Sequence, residues 1–336
     1  MSTLLEVNGL QTYFDTIDGV LKAVDGVTFS LDRGATLGIV GESGSGKSVT
    51  ALSIMRLIPM PPGRFAGGDI RYEDRSILEM SAAEVRSLRG NNIAMIFQDP
   101  MTSLNPVYRV GKQIGESLRL HKGMSRKSAD VRAAELLDVV GIPNASQRAK
   151  DYPHQFSGGM RQRAMIAMAV ACDPDILIAD EPTTALDVTI QAQILDLMIE
   201  LQQEKDTAII MITHDLGIVA DMVDNVMVMY AGRPVEEGTV DQVFYDPKHP
   251  YTWGLLDSLP RYDVDDKGRL IPIEGQPPSL IAVPSGCAFH PRCPYARDVC
   301  RAEEPKLSNL GDRHVAACHF AGSSGFVRGS TAGGAA

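Results

Sequence analysis

Residues 41–48, Gly41-Glu42-Ser43-Gly44-Ser45-Gly46-Lys47-Ser48, form a glycine-rich stretch between an apolar run at 37–40 and a helical pattern that begins at Val49. Strand, glycine-rich loop and helix in this order are typical of a phosphate-binding loop. The glycines let backbone N–H groups converge on an anion, and the start of the following helix adds partial positive charge. Lys47 is predicted to contact the β- and γ-phosphates of a nucleotide, and the Ser48 hydroxyl is a predicted ligand of Mg²⁺. We therefore expect every residue from Gly41 to Val49 to take part in binding the nucleotide.

The composition is that of an acidic globular chain with room for one large domain and an appendage. It has 336 residues, 44% of them hydrophobic, and a formal net charge of −10. A nucleic-acid partner is not expected, because binding to a phosphate backbone needs clustered Lys and Arg. No apolar run reaches the ~18 residues of a membrane span, and the N-terminus lacks the basic and apolar regions of a signal peptide. We expect the protein to remain on the side of the membrane where it is made.

Polar residues stand at the ends of three apolar segments that are predicted to be core strands. These residues, each with the segment that it ends or follows, are Gln98 (93–97), Asp180 and Glu181 (176–181), and His214 (208–213). An acid at the end of a core strand near a phosphate-binding loop is where Mg²⁺ is held, which predicts this role for Asp180. The adjacent Glu181 can orient or deprotonate water and is the candidate catalytic base. A single histidine at a strand end is usually structural, but the position of His214 favours contact with the γ-phosphate.

Two smaller parts of the fold are predicted on either side of the loop. Residues 4–36 contain short alternating segments separated by turn signals, which predicts an antiparallel sheet. Phe14 or Tyr13 in this sheet could stack on adenine, with packing inside the sheet as the alternative. From 110 to about 140 the pattern is helical and lies between two predicted core strands, which indicates an inserted helical subdomain at about 99–172.

A second candidate anion-binding motif is Ser157-Gly158-Gly159, at the start of another predicted helix. Ser157 is a favourable N-cap, and two glycines at a helix start expose backbone N–H groups to an anion. Taken alone, this short motif is a weak signal. The motif becomes informative only through its position in the order of the other motifs.

That ordered set of motifs resembles the ATP-binding subunit of ABC transporters over residues 4–245. The set consists of Gly41–Ser48, Gln98, Ser157-Gly158-Gly159, Ile176–Glu181, Ala185-Leu186-Asp187 and His214. The resemblance implies an α/β fold, a P-loop ABC ATPase with a RecA-like core, an antiparallel β subdomain and an inserted helical subdomain. One position departs from the family pattern, because Met160 stands where the family has a glutamine and cannot make the polar contacts of that side chain.

The resemblance also implies a site shared by two ATPase domains that face each other head to tail. Each ATP would lie between Lys47 of one domain and Ser157-Gly158-Gly159 of the other, with Asp187 crossing the interface. The remaining implied roles are Mg²⁺ binding (Ser48, Asp180, Gln98), γ-phosphate sensing (Gln98), polarisation of water (Glu181) and alignment of the γ-phosphate with that water (His214).

Three further stretches resemble the oligopeptide/dipeptide (and nickel) importer ATPases more narrowly. They are Gln98–Pro106, Phe156–Arg163 and His249–Thr252, followed by Leu255-Leu256. The resemblance implies two transmembrane permease subunits, a second ATPase subunit that is similar or identical, and an extracytoplasmic solute-binding protein. The chain would be peripheral, on the cytoplasmic face of the inner membrane. The solute stays open between peptides, nickel and another small solute. A soluble ABC ATPase or an exporter ATPase is less favoured, because the chain has one cassette and an importer-type tail.

The predicted domain organisation is an ABC ATPase domain at 1–245, a proline-rich connector at 246–286, a cysteine-rich tail at 287–320 and a disordered end at 321–336. The tail contains Cys287, Cys293, Cys300 and Cys318, while Cys172 stands apart and is not expected to be a ligand. Four cysteines in a cytosolic chain indicate a metal rather than disulfides. The spacings lack the short knuckles of structural zinc, and four thiolates also suit a [4Fe–4S] cluster, to which the resemblance adds weight. Zinc and four free thiols remain as alternatives.

Overall fold

The computed structural model describes residues 3–99, 103–183, 188–259, 272–326 and 328. The chain forms two compact units, each built from several segments. The first unit comprises 1–4, 31–36 and 76–212, and the second comprises 5–30, 37–75 and 213–336. In the described part of the chain, no helix is both long enough and apolar enough to cross a membrane.

The elements that the structure describes are as follows. The strands are β1 (Thr3–Thr16), β2 (Gly19–Asp32), β3 (Thr36–Val40), β4 (Gly63–Tyr72), β5 (Arg75–Ser76), β6 (Ile93–Ile96), β7 (Ile176–Asp180), β8 (Ala208–Thr213), β9 (Asn225–Tyr230), β10 (Arg233–Thr239), β11 (Ser308–Asn309) and β12 (Val315–Ala316). The α-helices are α1 (Lys47–Ile54), α2 (Ala82–Leu88), α3 (Val110–His121), α4 (Arg126–Val139), α5 (Ala145–Arg148), α6 (Gly158–Val170), α7 (Val188–Lys205), α8 (Leu216–Met222), α9 (Val240–Tyr245), α10 (Pro250–Asp257) and α11 (Asp298–Ala302). Short 3₁₀ turns lie at Pro153–Gln155 and His290–Arg292.

One sheet of the second unit has the strand order β2-β1-β4-β5, and β1 runs antiparallel to β4. The predicted segment at 4–36 therefore contributes β1 and β2 to this sheet, which β4 and β5 from after the loop complete. The expected series of short segments is wrong, because β1 and β2 are continuous strands of 14 residues each. In β1 the register shifts between Asn8 and Gln11, where Gly9 has a φ of 59°. This bulge interrupts the alternation of apolar and polar residues without ending the strand, which explains why the sequence suggested two separate segments.

The other strands of the second unit follow the order β11-β12-β10-β9-β3. Strand β3, which leads into the glycine-rich loop, pairs in parallel with β9, and β9 pairs antiparallel with β10. Strand β12 of the cysteine-rich tail pairs antiparallel with β10 and with β11. The tail therefore extends the same set of strands that carries the loop.

In the first unit, β6, β7 and β8 form parallel pairs, with Ile93 opposite Ile176 and Ile176 opposite Ala208. Every residue of β6, β7 and β8 is buried, as their continuous apolar sequences predict for parallel strands covered on both faces. Because these strands are parallel, the polar residues after β6 and β7 stand at the same edge of the sheet.

The helices predicted in the first unit are present, and the structure gives their bounds. The helical pattern predicted from 110 to about 140 is two helices, α3 and α4. Gly123 has a φ of 63°, and the Ser125 hydroxyl accepts a hydrogen bond from the Ser128 N–H, so Ser125 begins a new helix. The left-handed glycine and the N-cap divide a stretch whose apolar residues are periodic on both sides.

The connector begins with a helix, which corrects the expectation that it is poor in helices. Pro250 lies in the first turn of α10, where a backbone N–H would have no partner within the helix, so the missing N–H of proline costs nothing. The His249 side chain caps the helix. Trp253 of α10 packs against the rings of Tyr295 and Phe326, at centroid distances of 5.3 and 5.0 Å. Of the segment 321–336 predicted to be disordered, 327 and 329–336 lie outside the described residues.

Candidate functional site

The glycine-rich loop connects the end of β3 to the start of α1, and its glycines occupy positions that other residues would not fit. Gly41, Gly44 and Gly46 have φ values of 147°, 78° and 104°, in the left-handed region that favours glycine. A Cβ at Gly41 would collide with the carbonyl oxygen of Met229, and one at Gly46 with that of Ala23. The loop is thus pressed closely against neighbouring backbone.

Two side chains of the loop fit an anionic ligand. Lys47 is buried, and its Nζ donates hydrogen bonds to the carbonyl oxygens of Gly41 and Glu42, at 2.7 and 3.0 Å. The Ser45 hydroxyl is buried, and among the described residues it has no hydrogen-bond partner. A buried hydroxyl without a partner costs free energy unless a ligand or water satisfies it. The donor set is therefore suited to phosphate oxygens.

In the first unit, the strand ends bring a glutamine and an acid into direct contact. Gln98 Nε2 donates to Glu181 Oε2 at 2.9 Å, and the Glu181 N–H donates to the carbonyl oxygen of Ile212 at 2.8 Å. Glu181 has a φ of 47°, which turns it away from the direction of β7. Asp180, the last residue of β7, is 5% exposed. The two acids are therefore held differently: Asp180 is buried at the end of the strand, and Glu181 is hydrogen-bonded to Gln98.

Ser157 begins helix α6 as the sequence predicts. Its hydroxyl accepts a hydrogen bond from the Met160 N–H at 3.3 Å, and Gly158 is the first residue of the helix. Among the described residues, a Cβ at Gly158 would have no heavy atom within 4 Å, whereas one at Gly159 would lie 3.3 Å from Ile190 Cγ2. An anion could therefore approach the helix start on the side of Gly158.

Two further predicted site residues are His214 and Asp187. His214 follows β8 and is exposed, and the next residue, Asp215, caps α8 through a hydrogen bond from the Gly217 N–H at 2.8 Å. Asp187 lies outside the described residues. The structure describes His214 in the second unit and Glu181 in the first.

Phe14 and Tyr13 lie on opposite faces of β1, because side chains alternate along a strand. Tyr13 donates a hydrogen bond to Asp25 Oδ1 at 2.6 Å, and burial with this hydrogen bond raises the pKa of Tyr13 to about 12. Thr12, on the same face as Phe14, contacts the Ser53 hydroxyl of α1 at 2.8 Å. Phe14 is therefore on the side of the strand that carries the helix of the glycine-rich loop.

No pattern in the sequence predicts the residues that hold Glu42. Its carboxylate accepts two hydrogen bonds from Arg292, and its N–H donates to the Tyr251 hydroxyl at 2.8 Å. The hydrogen bonds to Glu42 are the main cause that raises the pKa of the Arg292 guanidinium above its ordinary value. Both partners lie far along the chain, in α10 and in the cysteine-rich tail.

The predicted metal site in the tail is not supported. The four cysteines line one small cavity of about 20 Å³, together with histidines and aromatic rings: Cys287, Cys293, Cys300, Cys318, His290, His319, Phe289, Phe320 and Phe326 among others. Burial raises the pKa of Cys293 to about 12 and that of Cys318 to about 11. Among the described residues, no group of three or more His, Cys, Asp or Glu side chains is arranged to hold a metal ion.

Comparison with protein families gives two matches along the chain. A model described as "ABC transporter" matches residues 24–184, which contain the glycine-rich loop, Gln98, Ser157 and Glu181. A model described as "Oligopeptide/dipeptide transporter, C-terminal region" matches residues 235–300. The second match covers α10, Arg292 and three of the four tail cysteines.

Curated relatives match over almost the whole chain. The oligopeptide transport ATP-binding protein OppD of Bacillus subtilis is 55% identical over 314 residues, which are 94% of this chain and 88% of the relative. The dipeptide transport ATP-binding protein DppD of the same organism is 52% identical over 318 residues, 95% of each chain. OppD of Salmonella typhimurium is 53% identical over 317 residues, 94% of this chain and 93% of the relative.

Solved structures share the fold of the ATPase part. The ATP-binding cassette MJ0796, in a dimeric post-hydrolysis state with ADP and Pi, matches with a TM-score of 0.64 and 25% identity. The match covers 70% of this chain and 99% of that cassette. The cbiO1 protein of Clostridium perfringens, part of the ABC transporter complex cbiONQ, matches with a TM-score of 0.61 and 27% identity, over 73% of this chain and 92% of cbiO1.

Proposed function

This chain belongs to the ATP-binding proteins of ABC transporters, in the oligopeptide and dipeptide branch, and we propose that it hydrolyses ATP to drive peptide uptake through partner permeases. The observation that carries the proposal is the phosphate-binding loop, where Lys47 stands in a cradle of glycines beside a Ser45 hydroxyl that has no hydrogen-bond partner among the described residues. The named relatives supply the class of solute, because they are oligopeptide and dipeptide transport proteins over nearly their full length.

The loop binds the phosphates by replacing internal contacts with contacts to the ligand. Lys47 leaves the carbonyl oxygens of Gly41 and Glu42 for the β- and γ-phosphates, and the Ser45 hydroxyl gains a phosphate oxygen as its partner. The other residues of the loop, Ser43, Gly44, Gly46, Ser48 and Val49, contribute N–H groups. Phe14, rather than Tyr13, stacks on adenine, because the Tyr13 hydroxyl is bound to Asp25 on the other face of β1.

The polar residues at the strand ends divide the chemistry between them. Ser48, Asp180 and Gln98 would hold Mg²⁺, which when bound neutralises charge on the phosphates. Glu181 orients the attacking water and takes its proton, while Gln98 holds the Glu181 carboxylate in place by the hydrogen bond of 2.9 Å. His214 contacts the γ-phosphate and keeps it in line with the water.

Two ATPase subunits complete each site. The open start of α6 supports a role in which Ser157, Gly158 and Gly159 bind the nucleotide held by the loop of a second subunit. Asp187 contributes to that interface. The second subunit is another copy or a similar ATPase, and closing of the pair around ATP supplies the motion that reaches the permeases.

The complete importer contains two permease subunits and an extracytoplasmic solute-binding protein. The chain works as a peripheral subunit on the cytoplasmic face of the inner membrane. Nickel stays a second candidate solute, because the stretches at 98–106, 156–163 and 249–256 resemble nickel importers as well as peptide importers.

The test of this function is transport by the reconstituted complex. The chain is assembled with its permeases and solute-binding protein in liposomes, and uptake of labelled peptides is followed with ATP supplied at the ATPase side. Peptide uptake with wild type and none with Lys47→Ala is expected. Uptake of nickel and not of peptide would identify nickel as the solute. ATP hydrolysis by a chain that does not associate with the permeases would reject the importer function.

The four tail cysteines are proposed to bind a [4Fe–4S] cluster, with zinc as the alternative. Support comes from the donor set, four thiols that line one cavity, and the cluster would then link segments of a tail too short to build a large core. Anaerobic purification followed by iron, sulfide and zinc analysis tests this, with Cys293→Ser beside wild type. A colourless protein with stoichiometric zinc would identify zinc as the bound metal and reject the cluster. A folded tail without any metal would reject both.

A further inference from the structure

The cysteine-rich tail reaches the phosphate-binding loop through one arginine. Arg292 Nη1 donates to Glu42 Oε2 at 2.6 Å, and Arg292 Nη2 donates to Glu42 Oε1 at 3.0 Å. The Arg292 side chain is 4% exposed and the Glu42 side chain 28%. A two-pronged pair of this kind is stronger and more directional than an exposed single-contact ion pair. It joins residues that are 250 positions apart in the chain.

Arg292 is itself held rigidly. Its Nε donates to the carbonyl oxygen of Glu274 at 3.0 Å, and its Nη2 donates to that of Gly275 at 3.3 Å. The guanidinium carbon lies 5.8 Å from the ring centroid of Tyr230 and 5.9 Å from that of Phe289. Because the guanidinium is already oriented by these contacts, its pairing with Glu42 costs little side-chain entropy.

The backbone of Glu42 is held by a second residue from the same region. Its N–H donates to the Tyr251 hydroxyl at 2.8 Å, and Tyr251 is fully buried. The Tyr251 ring packs against Tyr230 and Phe289, at centroid distances of 4.6 and 5.4 Å. Arg292 and Tyr251 therefore hold the side chain and the main chain of the same loop residue.

Glu42 is a special point of the loop, because it places a carboxylate in a segment that must attract phosphates. An unpaired carboxylate there would repel the nucleotide, and pairing with a guanidinium both neutralises it and fixes where it points. The carbonyl oxygen of Glu42 is also one of the two oxygens that hold Lys47. A change in the orientation of Glu42 would therefore reach the residue that binds the β- and γ-phosphates.

We propose that Arg292, supported by Tyr251, is a positioning residue of the ATP site, through which the cysteine-rich tail keeps the phosphate-binding loop in its binding shape. This inference rests on the proposed function, because it takes ATP as the ligand of the loop. It adds a role for the C-terminal region: an intact tail is a condition for tight nucleotide binding by the ATPase domain of the same chain.

The test is the affinity of the full chain for ATP with Mg²⁺, measured by calorimetry on a set of variants. Arg292→Gln is expected to weaken binding roughly tenfold, which corresponds to about 1.4 kcal/mol. Arg292→Lys keeps the charge but cannot form the two-pronged contact, so an intermediate loss is expected. Tyr251→Phe removes only the hydroxyl and is expected to lose less than Arg292→Gln.

A rescue variant separates positioning from a general effect on folding. If Arg292 acts by neutralising Glu42, the double variant Glu42→Gln/Arg292→Gln binds ATP more tightly than Arg292→Gln alone. A purely structural role of Arg292 predicts no such recovery. Arg297→Gln is the matched control, because Arg297 is a tail arginine whose guanidinium lies 4.4 Å from the ring of Phe320, and wild-type affinity is expected.

The outcomes distinguish this inference from the proposed function. Wild-type affinity in both Arg292→Gln and Tyr251→Phe would overturn the inference and leave the ATPase function standing. Lost affinity in Arg292→Gln without recovery in the double variant would also overturn it. If Arg292→Gln does not fold, Tyr251→Phe decides, since it keeps the buried ring. No nucleotide binding by wild type would reject the proposed function and the inference together.

Discussion

Replacing Glu181 with glutamine removes a candidate base and preserves the shape around it. The Glu181 N–H bond to Ile212 and the left-handed φ of 47° involve only the backbone, which the substitution does not alter. Gln98 Nε2 donates to Glu181 Oε2 at 2.9 Å, and the amide oxygen of the new glutamine can still accept this hydrogen bond. The change is therefore confined to the charge and to the ability to take a proton.

The expected magnitude follows from that separation. Loss of a positioned general base reduces a rate by about 100- to 10,000-fold, or about 3 to 5 kcal/mol in the barrier. Affinity for ATP should stay close to that of wild type, because the phosphates are bound by the loop and not by Glu181. Slow hydrolysis with intact binding predicts a pair of subunits that closes around ATP and stays closed.

The assay combines phosphate release, ATP affinity by calorimetry and size-exclusion chromatography with ATP and Mg²⁺. Glu200→Gln is the matched control, because Glu200 is an exposed acid on α7 and the charge change is the same. We expect wild-type turnover from the control and an ATP-dependent dimer only from Glu181→Gln. Turnover by Glu181→Gln within a few-fold of wild type would refute the assignment of Glu181 as the base.

Three further predictions concern the loop, the second subunit and a half-buried acid. Lys47→Ala should lose ATP binding, because phosphates would then face only dipoles and hydroxyls; unchanged affinity by calorimetry would contradict this. ATP hydrolysis by the isolated protein should rise more than linearly with protein concentration, since each site needs two subunits; a constant specific rate from a verified monomer would count against the shared site. Burial raises the pKa of Glu237 from 4.5 to about 7, so the folded state binds more protons than the unfolded chain in this range and the free energy of unfolding should fall as pH rises. Relative to Glu237→Gln, wild type should lose up to about 3 kcal/mol of that free energy between these pH values, and urea unfolding that shows a constant difference would disprove the assignment.

Much of the fold could be predicted because local chemistry decides it. The loop at 41–48 needs glycine at particular backbone angles, and the all-apolar runs of β7 and β8 suit parallel strands that are buried on both faces. Ser157 caps α6 by the hydrogen bond that its sequence context predicts. The end of one helix and the start of the next were harder to predict. Gly123 and Ser125 mark this boundary inside a stretch whose apolar period continues.

The long-range part of the site could not be predicted, because pairing across the chain leaves no periodic trace. Arg292 stands beside cysteines that suggest a metal, and nothing near it in the sequence points to Glu42. The cysteines themselves show the opposite problem. Their clustering predicts a metal site, but among the described residues no group of three or more His, Cys, Asp or Glu side chains is arranged to hold a metal ion.

The packing of Trp253 gives the protein an internal optical reporter. It is the only tryptophan among 336 residues, it is 3% exposed, and its Nε1 donates to the carbonyl oxygen of Pro247 at 2.7 Å. Its neighbours Tyr295 and Phe326 belong to the C-terminal segments. If these segments separate from α10, the indole becomes exposed to water and its emission shifts to longer wavelength. Fluorescence excited at the indole band therefore reports the state of the C-terminal region alone, and an ATP titration can be read for tail movement without attaching a dye.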